Sequence, residues 1–232
     1  MSVRAAGELL GPGGLRRVRL WALLAVSLLT VLLAVAWFSP VLSVRTVAVE
    51  GLRAVPEDEV MAQLQVPEGR SLLRVDTDAM ARRVAALPKV ASVRIKRVYP
   101  QTLRVTVVER EAVLYFDTPQ GSHLLDGEAV EFAIEPPPPG LPKLVADHPG
   151  SADPLTRAAV TVVNAVPPAL KIQVGEVVAR SISDISLKLK DGRTVVWGGA
   201  DDAERKAAVV LPLLTREGTV FDVSSPNLVT VK

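Results

Sequence analysis

The sequence contains no cysteine, only two histidines and few aromatic residues, 4% in total. Without cysteine there is no disulfide framework, no thiolate metal site and no cysteine nucleophile. His123 and His148 are not in a metal-ligand spacing, and no Gly-x-Ser-x-Gly or phosphate-loop motif occurs. Ser122 and His123 are neighbours on a predicted strand, so their side chains project to opposite faces. We therefore expect no catalytic site, cofactor, metal or small-molecule substrate.

One long apolar run stands out against this background. Residues 20–38, LWALLAVSLLTVLLAVAWF, contain no charged side chain. A helix of that length is roughly 28 Å long, close to the ~30 Å hydrocarbon thickness of a bilayer. The run therefore predicts a transmembrane helix that contacts lipid, with interfacial aromatic residues near its ends. The terminal residues of this predicted anchor are Leu20, Trp21, Trp37 and Phe38.

The charges beside this run predict its orientation. Residues 1–19, the predicted cytoplasmic tail, have a net charge of +3, and Arg16, Arg17 and Arg19 directly precede the run. No charge follows until Arg45. The positive-inside rule places the N-terminus in the cytoplasm and the rest of the chain outside. The rest of the chain has 23 basic and 24 acidic residues, which nearly balance. The high isoelectric point of about 9.0 therefore comes from the tail and does not indicate a nucleic-acid-binding surface.

A cleaved secretory signal is the alternative interpretation of the same run. Ala34-Val35-Ala36 has the small-x-small form of a cleavage site. However, a signal's apolar region normally has about 7–15 residues, and this candidate site lies inside the apolar run, followed by Trp37. An uncleaved anchor is therefore favoured.

Residues 43–110 predict a compact unit with the order strand, helix, helix, strand, strand. Alternating Val47 and Val49 are typical of a half-buried strand. Pro56 before three carboxylates favours a helix start, and Asp76 or Thr77 favours another. The predicted elements are a strand over 44–51, a helix from 56 to about 65, a helix closed by Pro88, and strands over 91–98 and 102–109.

This predicted unit also concentrates basic residues. Two interpretations are open: a solvated protein face, which we favour, or a contact with anionic lipid headgroups or an acidic partner. Aromatic residues are not interleaved with the basic ones, which argues against nucleic acid. The basic residues are Arg82, Arg83, Lys89, Arg94, Lys96, Arg97 and Arg104.

Residues 111–232 predict a mostly antiparallel β domain with two flanking helices, so the fold class is α+β. Turn sequences join three short apolar stretches into a meander. The segment EPPPPGLPKLV, residues 135–145, is expected to be an extended connector without a strand. One helix begins at Asp153-Pro154, and a later one must kink or end at Pro212. The predicted strands cover 113–116, 122–125, 129–132, 175–181, 185–189, 194–197, 219–223 and 227–231.

The residues also carry a family resemblance. VRTVAVEGLRAVPEDEV, GRSLLRVD and LPKVASVRIKRVYPQTLRVTVVE resemble a POTRA domain, a βααββ module. HLLDGEAV, GLPKLV, LKLKDGRTVVWGG and VFDVSSPN follow in the order of a known β domain. Residues 20–232 thus resemble the FtsQ/DivIB bacterial cell-division proteins. The resemblance implies a non-enzymatic, single-pass type II divisome scaffold, enriched at the division septum, that helps control septal wall synthesis.

The end of the β domain is the candidate interaction site. A strand at a sheet edge has unpaired N–H and C=O groups that can accept a strand from another protein. The alternative is that this strand only completes the sheet. The resemblance implies that this edge receives an FtsB/DivIC-like protein, which travels with an FtsL-like protein, among other divisome membrane proteins. The predicted contact residues are Phe221, Val223, Asn227, Leu228, Val229, Thr230 and Val231.

Two other functions remain open from the sequence. POTRA domains also occur in polypeptide-export machinery, and a structural envelope protein could have the same anchor and domains. Both would be binding proteins without a catalytic centre.

Overall fold

The structure is a computed structural model that describes residues 19–31, 42–66, 69 and 71–232. The chain divides into two compact units, Met1–Val108 and Glu109–Lys232. Each unit has its own hydrophobic core.

In the first unit, helix α1 covers residues 19–31. A sheet and two further helices follow. The strand order is β1-β3-β2, with β1 parallel to β3 in the register Thr46↔Thr102. The elements are β1 (Thr46–Glu50), α2 (Glu57–Leu64), a 3-10 turn (Leu72–Arg74), α3 (Thr77–Ala85), β2 (Val90–Val98) and β3 (Thr102–Glu109).

The predicted βααββ order is confirmed, and local signals explain its helices. The Asp76 carboxylate caps α3 by accepting hydrogen bonds from the Asp78 and Ala79 N–H groups at 3.1 and 2.9 Å. Helix α2 begins one residue after Pro56 and ends at Leu64, and the next residue, Gln65, has a left-handed φ of 47°. Inward residues of the strands and helices form the core, including Val60, Leu64, Leu72, Met80, Val84, Leu103 and Val105.

Helix α1 contains the first half of the predicted anchor. Leu20 and Trp21 are 60% and 72% exposed, and Arg19 is also exposed. Within the described ranges, no helix is both long and apolar enough to cross a membrane. The rest of the predicted span, with Trp37 and Phe38, lies outside the described residues, as do Arg16, Arg17 and the tail.

The second unit is built on one nine-stranded sheet. Its strand order is β12-β11-β10-β9-β8-β7-β4-β5-β6. Three neighbouring pairs are parallel (β10 with β11, β7 with β8, β4 with β7) and the others are antiparallel. The strands are β4 (Ala112–Thr118), β5 (Gly121–Asp126), β6 (Glu131–Ile134), β7 (Lys143–Val145), β8 (Val174–Ser181), β9 (Asp184–Leu189), β10 (Thr194–Val196), β11 (Val220–Asp222) and β12 (Thr230–Val231).

Two helices pack on this sheet as predicted, and a short third one follows the first. They are α4 (Pro154–Ala165), α5 (Pro168–Lys171) and α6 (Ala203–Leu213). Asp153 caps α4 by accepting from the Thr156 N–H at 2.9 Å. Pro212 lies in the last turn of α6, so the helix ends one residue later instead of breaking earlier. The core includes Leu114, Val163, Leu187, Trp197 and Phe221.

Two predictions for this unit were wrong. The supposed connector contains β7, a strand between β4 and β8 in the middle of the sheet. Three residues beside Pro142 show little local strand pattern, and β7 forms because its parallel neighbours supply hydrogen bonds. The third meander strand begins at Glu131 rather than Ala129, whose φ of 60° places it in the preceding turn.

Candidate partner-binding edge

Strand β12 is one edge of the large sheet, where it is paired with β11 alone. The pairing is antiparallel in the register Phe221↔Val231 and Asp222↔Thr230. The Lys232 N–H donates to the Val220 carbonyl at 2.9 Å, and the Val220 N–H donates to the Lys232 carbonyl at 3.0 Å. The Thr219 N–H donates to the same Lys232 carbonyl at 2.8 Å.

This register determines which main-chain groups face outward. Residues of an antiparallel pair alternate between hydrogen-bonded and non-hydrogen-bonded positions. Because Val220 and Lys232 form a hydrogen-bonded pair, Phe221 and Val231 form a non-hydrogen-bonded one. The Val231 N–H and C=O therefore point away from β11, toward the open side of the sheet. An extended peptide laid along β12 would meet them first.

Two predicted contact residues are interior residues. Phe221 and Val223 are fully buried at 0% exposure, and Phe221 lies in β11, which β10 and β12 flank on both sides. The Arg193 guanidinium covers the Phe221 ring at 5.7 Å from its centroid. Their placement at the edge was therefore wrong, because β11 is the penultimate strand. The side chains of Phe221 and Val223 instead pack in the hydrophobic core of the second unit.

The predicted strand over 227–231 was too long. Only Thr230 and Val231 are strand, and Asn227, Leu228 and Val229 precede it in a turn whose Leu228 N–H donates to the Ser225 carbonyl at 2.9 Å. Leu228 is 75% exposed, whereas Val229 is partly buried against the core. A charged residue at 229 would thus disturb the core as well as the edge.

Glycine at position 218 lets β12 close on β11. Gly218 has a φ of +154°, and a Cβ there would lie 2.3 Å from Val231 Cγ1 and 3.1 Å from the Lys232 carbonyl oxygen. No real Cβ approaches a carbon atom that closely. A Cβ at this position would require a strained backbone, a turned Val231 side chain or a displaced β12.

The opposite edge of the sheet is β6, and sequence reasoning did not single it out. The Glu135 N–H donates to the Ser122 carbonyl at 3.0 Å, and Ile134 is opposite His123. By the same alternation the Ile134 N–H and C=O face outward. Ile134 is 53% exposed. The β6 edge is thus a matched counterpart of β12.

The side chains of Ser122 and His123 lie in separate polar contacts. His123 stacks on Phe116 with ring centroids 5.0 Å apart and contacts Glu131 and Thr118. The Ser122 hydroxyl instead donates to Asp117 at 2.6 Å. Ser122 and His123 therefore form no nucleophile and base pair. Across the described part of the chain, no cluster of His, Asp or Glu could hold a metal ion.

Asp117 in β4 forms an ion pair with Lys143. Lys143 in β7 donates to the Asp117 carboxylate at 2.7 Å. Hydrogen bonds from Lys143 and then from the Ser122 hydroxyl lower the pKa of Asp117, and the bond to Asp117 raises the pKa of Lys143. The pair links the β4–β5 hairpin to β7, so its role is structural.

Two arginines of the basic run in the first unit donate hydrogen bonds to backbone carbonyls of that unit. Arg83 donates to the Gln63 and Leu64 carbonyls at 3.0 and 2.7 Å, at the end of α2. Arg97 donates to the Leu72 and Val75 carbonyls at 2.9 and 2.7 Å. Both arginines hold neighbouring segments together. The sequence did not indicate this role, because their carbonyl acceptors lie about twenty residues away along the chain. Arg104 pairs with Glu50 at 3.4 Å.

Comparisons with known proteins agree with this architecture. Residues 42–110 match the sequence model of the POTRA domain, FtsQ-type, and residues 113–229 match that of the cell division protein FtsQ/DivIB, C-terminal. The chain belongs to the FtsQ/DivIB family. The resemblance inferred from the sequence is thereby confirmed.

Several FtsQ-family relatives are similar over most of the chain. Cell division protein FtsQ of Mycolicibacterium smegmatis is 47% identical across 93% of this chain and 65% of that protein. The Mycobacteroides abscessus protein of the same name is 45% identical across 97% and 72%. That of Corynebacterium glutamicum is 35% identical across 89% and 94%. The chain thus spans a little under two thirds of the first FtsQ relative.

Proposed function

We propose that this chain is a non-enzymatic scaffold of the bacterial division machinery. Its apolar N-terminal run anchors it once in the cell membrane with the N-terminus in the cytoplasm. The POTRA domain, proposed over 43–110, and the β domain, proposed over 111–232, then act outside the cytoplasm. Family membership supports the division role. The exposed, uncharged surface of α1 beyond Arg19 supports the anchor, because such a helix has no protein partner among the described residues.

The β domain captures an extended segment of an FtsB/DivIC-like protein, which arrives with an FtsL-like protein. The open β12 edge is the observation that carries this proposal, because the outward Val231 N–H and C=O can continue the ladder. Exposed Leu228 lies just before the strand and offers an apolar contact beside it. The tail contacts cytoplasmic division proteins, so the chain links the two sides of the membrane at the septum and helps control wall synthesis.

Val231→Pro tests the edge in the full-length chain. Proline removes the outward N–H and leaves the inward bonds of Thr230 and Lys232 to β11 in place. We expect about tenfold weaker co-purification of the partner, because one interfacial hydrogen bond is lost and the proline ring obstructs the incoming strand. The free energy of unfolding should change little.

Ile134→Pro is the matched control, since it removes the corresponding outward N–H at the β6 edge. Partner binding should survive this change. If Ile134→Pro abolishes binding while Val231→Pro does not, the partner pairs with β6. Full binding by both variants would exclude strand addition as the mode of capture.

Depletion in the host tests the division role itself. We expect filamentous cells, and a fluorescent fusion on the cytoplasmic N-terminus should collect at mid-cell. Normal septation with an even membrane signal would instead favour polypeptide export or an envelope-structure role.

A further inference from the structure

One end of the POTRA sheet gathers basic and amphipathic side chains that the partner-binding edge does not use. The chain enters β1 at Arg45, whose N–H donates to the Gln101 carbonyl at 2.9 Å. The β2–β3 turn is therefore beside the first residues of the domain. Tyr99 in this turn is 57% exposed.

The 3-10 turn lies at the same end of the sheet. Ser43 forms an isolated bridge with Ser71, and the two Arg97 bonds tie the 72–75 backbone to the end of β2. Leu73 in this turn is 37% exposed. We define the basic rim as Arg45, Leu73, Lys96, Arg97 and Tyr99.

The basic rim has three cations. Arg45 and Lys96 are exposed and form no ion pair with any residue that the structure describes. Arg97 uses two N–H groups on backbone carbonyls, which leaves its charge uncompensated. The acids of the adjoining helix start are Asp76, whose carboxylate caps α3, and exposed Asp78. Among the residues that the structure describes at this end, the three rim cations thus outnumber these two acids.

The outer face of the sheet continues this surface away from the rim. A shallow depression of about 400 Å³ lies there, lined by Arg94, Lys96 and Arg104 among small residues, with Glu50 as its acid. With three cations and one acid, this depression extends the positive surface beyond Lys96.

We propose that the basic rim rests on the anionic phospholipid headgroups of the membrane that holds the chain. The proposal rests on the proposed N-terminal anchor. A tyrosine ring and a leucine next to cations are the composition of a membrane-interface surface, because the ring settles among headgroups while the cations bind phosphates. An acidic protein partner would accept the same charges, so the distance of the rim from the anchor decides between the two.

The length of chain after the predicted anchor favours a lipid surface over a distant partner. From Phe38 to Leu42, where the POTRA domain begins, four Cα steps reach at most about 14 Å. The headgroup region of one leaflet is itself roughly 5–7 Å thick. The first residues of the domain, and the rim beside them, are thus held within reach of the headgroups.

A fluorescent label can measure this contact in the full-length chain, since the sequence has no cysteine of its own. Thr46→Cys places a label at the rim, and exposed Ala86→Cys places one just after α3, at the opposite end of the unit and outside the depression. Each labelled chain is reconstituted in vesicles that carry a nitroxide quencher on the headgroups. We expect strong quenching at 46 and weak quenching at 86 when phosphatidylglycerol is present.

Charge removal then tests the rim residues. Each basic residue near an anionic surface contributes about a fivefold factor, so Arg45→Gln with Lys96→Gln should lower the docked-to-undocked ratio about 25-fold. Arg82→Gln with Arg180→Gln makes the same net change elsewhere and should have little effect. Raising salt from about 0.1 M to about 1 M should release the rim, because the Debye length falls from about 10 to about 3 Å.

The outcomes separate the two proposals. If alkaline carbonate extracts the chain from vesicles, the anchor fails and the rim contact fails with it. If the chain resists extraction but both labels are quenched equally in neutral and anionic vesicles, the rim proposal alone is overturned. Shielding of the rim label by added polyglutamate, without quenching by anionic lipid, would assign the rim to an acidic protein and overturn it too.

Discussion

Gly218→Ala should loosen β12, the proposed partner-binding edge, without changing the sequence of that strand. The new Cβ would lie 2.3 Å from Val231 Cγ1, and the φ of +154° is itself unfavourable for alanine. The protein can respond in two ways: it can keep β12 in place under strain, or it can release β12 from β11.

The two responses cost similar amounts of free energy. Strain at such a backbone conformation costs about 1–3 kcal/mol. Release forfeits three main-chain hydrogen bonds, those of the Thr219, Val220 and Lys232 N–H groups, at about 1 kcal/mol each. Because opening relieves the strain, we expect the strand to become easier to open by about 1–3 kcal/mol.

Amide hydrogen exchange measures this opening directly. A change of about 1–3 kcal/mol corresponds to about 5- to 150-fold faster exchange of the Val220 and Lys232 amides. Partner binding should weaken in the same variant, because the outward groups of Val231 lose their position.

Gly192→Ala provides the matched control. Gly192 also has a left-handed φ, +91°, but nothing lies within 4 Å of a Cβ built there. The Gly192→Ala variant should therefore have local backbone strain without any opening of β12. If both variants leave the Val220 amide equally protected, the clash with Val231 does not govern the edge and the reasoning is refuted.

Three further predictions concern the stability of the two units. Arg83→Ala should destabilise the POTRA unit by about 2 kcal/mol in chemical denaturation, because it leaves two carbonyls at the end of α2 without a donor; exposed Arg82→Ala should change stability by less than about 0.5 kcal/mol. Asp153→Ala should cost the β domain about 1 kcal/mol in the same assay, whereas Asp153→Asn should preserve most of the cap. The lowered pKa of Asp117 stabilises the fold above its ordinary value of 3.8, and this contribution should vanish as pH falls through the folded value; Lys143→Met should reduce that acid dependence to the part that Ser122 supplies, and an unchanged pH profile would contradict the pairing.

Much of the fold could be predicted because its signals are local. Helices α3 and α4 begin at Asp76 and Asp153, whose side chains cap backbone N–H groups two or three residues away. The strands β2 and β3 carry their own alternation. Such features depend on neighbours along the chain, and the family motifs follow the same order.

The rest depended on residues distant in sequence. Strand β7 was interpreted as a connector because its hydrogen bonds come from β4 and β8, not from its own three residues. Phe221 was assigned to the edge because the sequence does not show that β11 lies between two strands. Arg83 and Arg97 resembled surface charges because their carbonyl partners are about twenty residues away.

The family, the apolar run with its basic flank, and the helices and strands other than β7 and α5 could be inferred from the sequence alone. Periodicity, capping residues and charge act over a few neighbouring positions, so they can be interpreted without coordinates. Only the tertiary structure decided that β12 is a two-residue edge, that the Val231 main chain faces outward, and that the basic rim gathers around Arg45. Those properties arise from the register of strands and from pairings between distant segments, which no local pattern encodes.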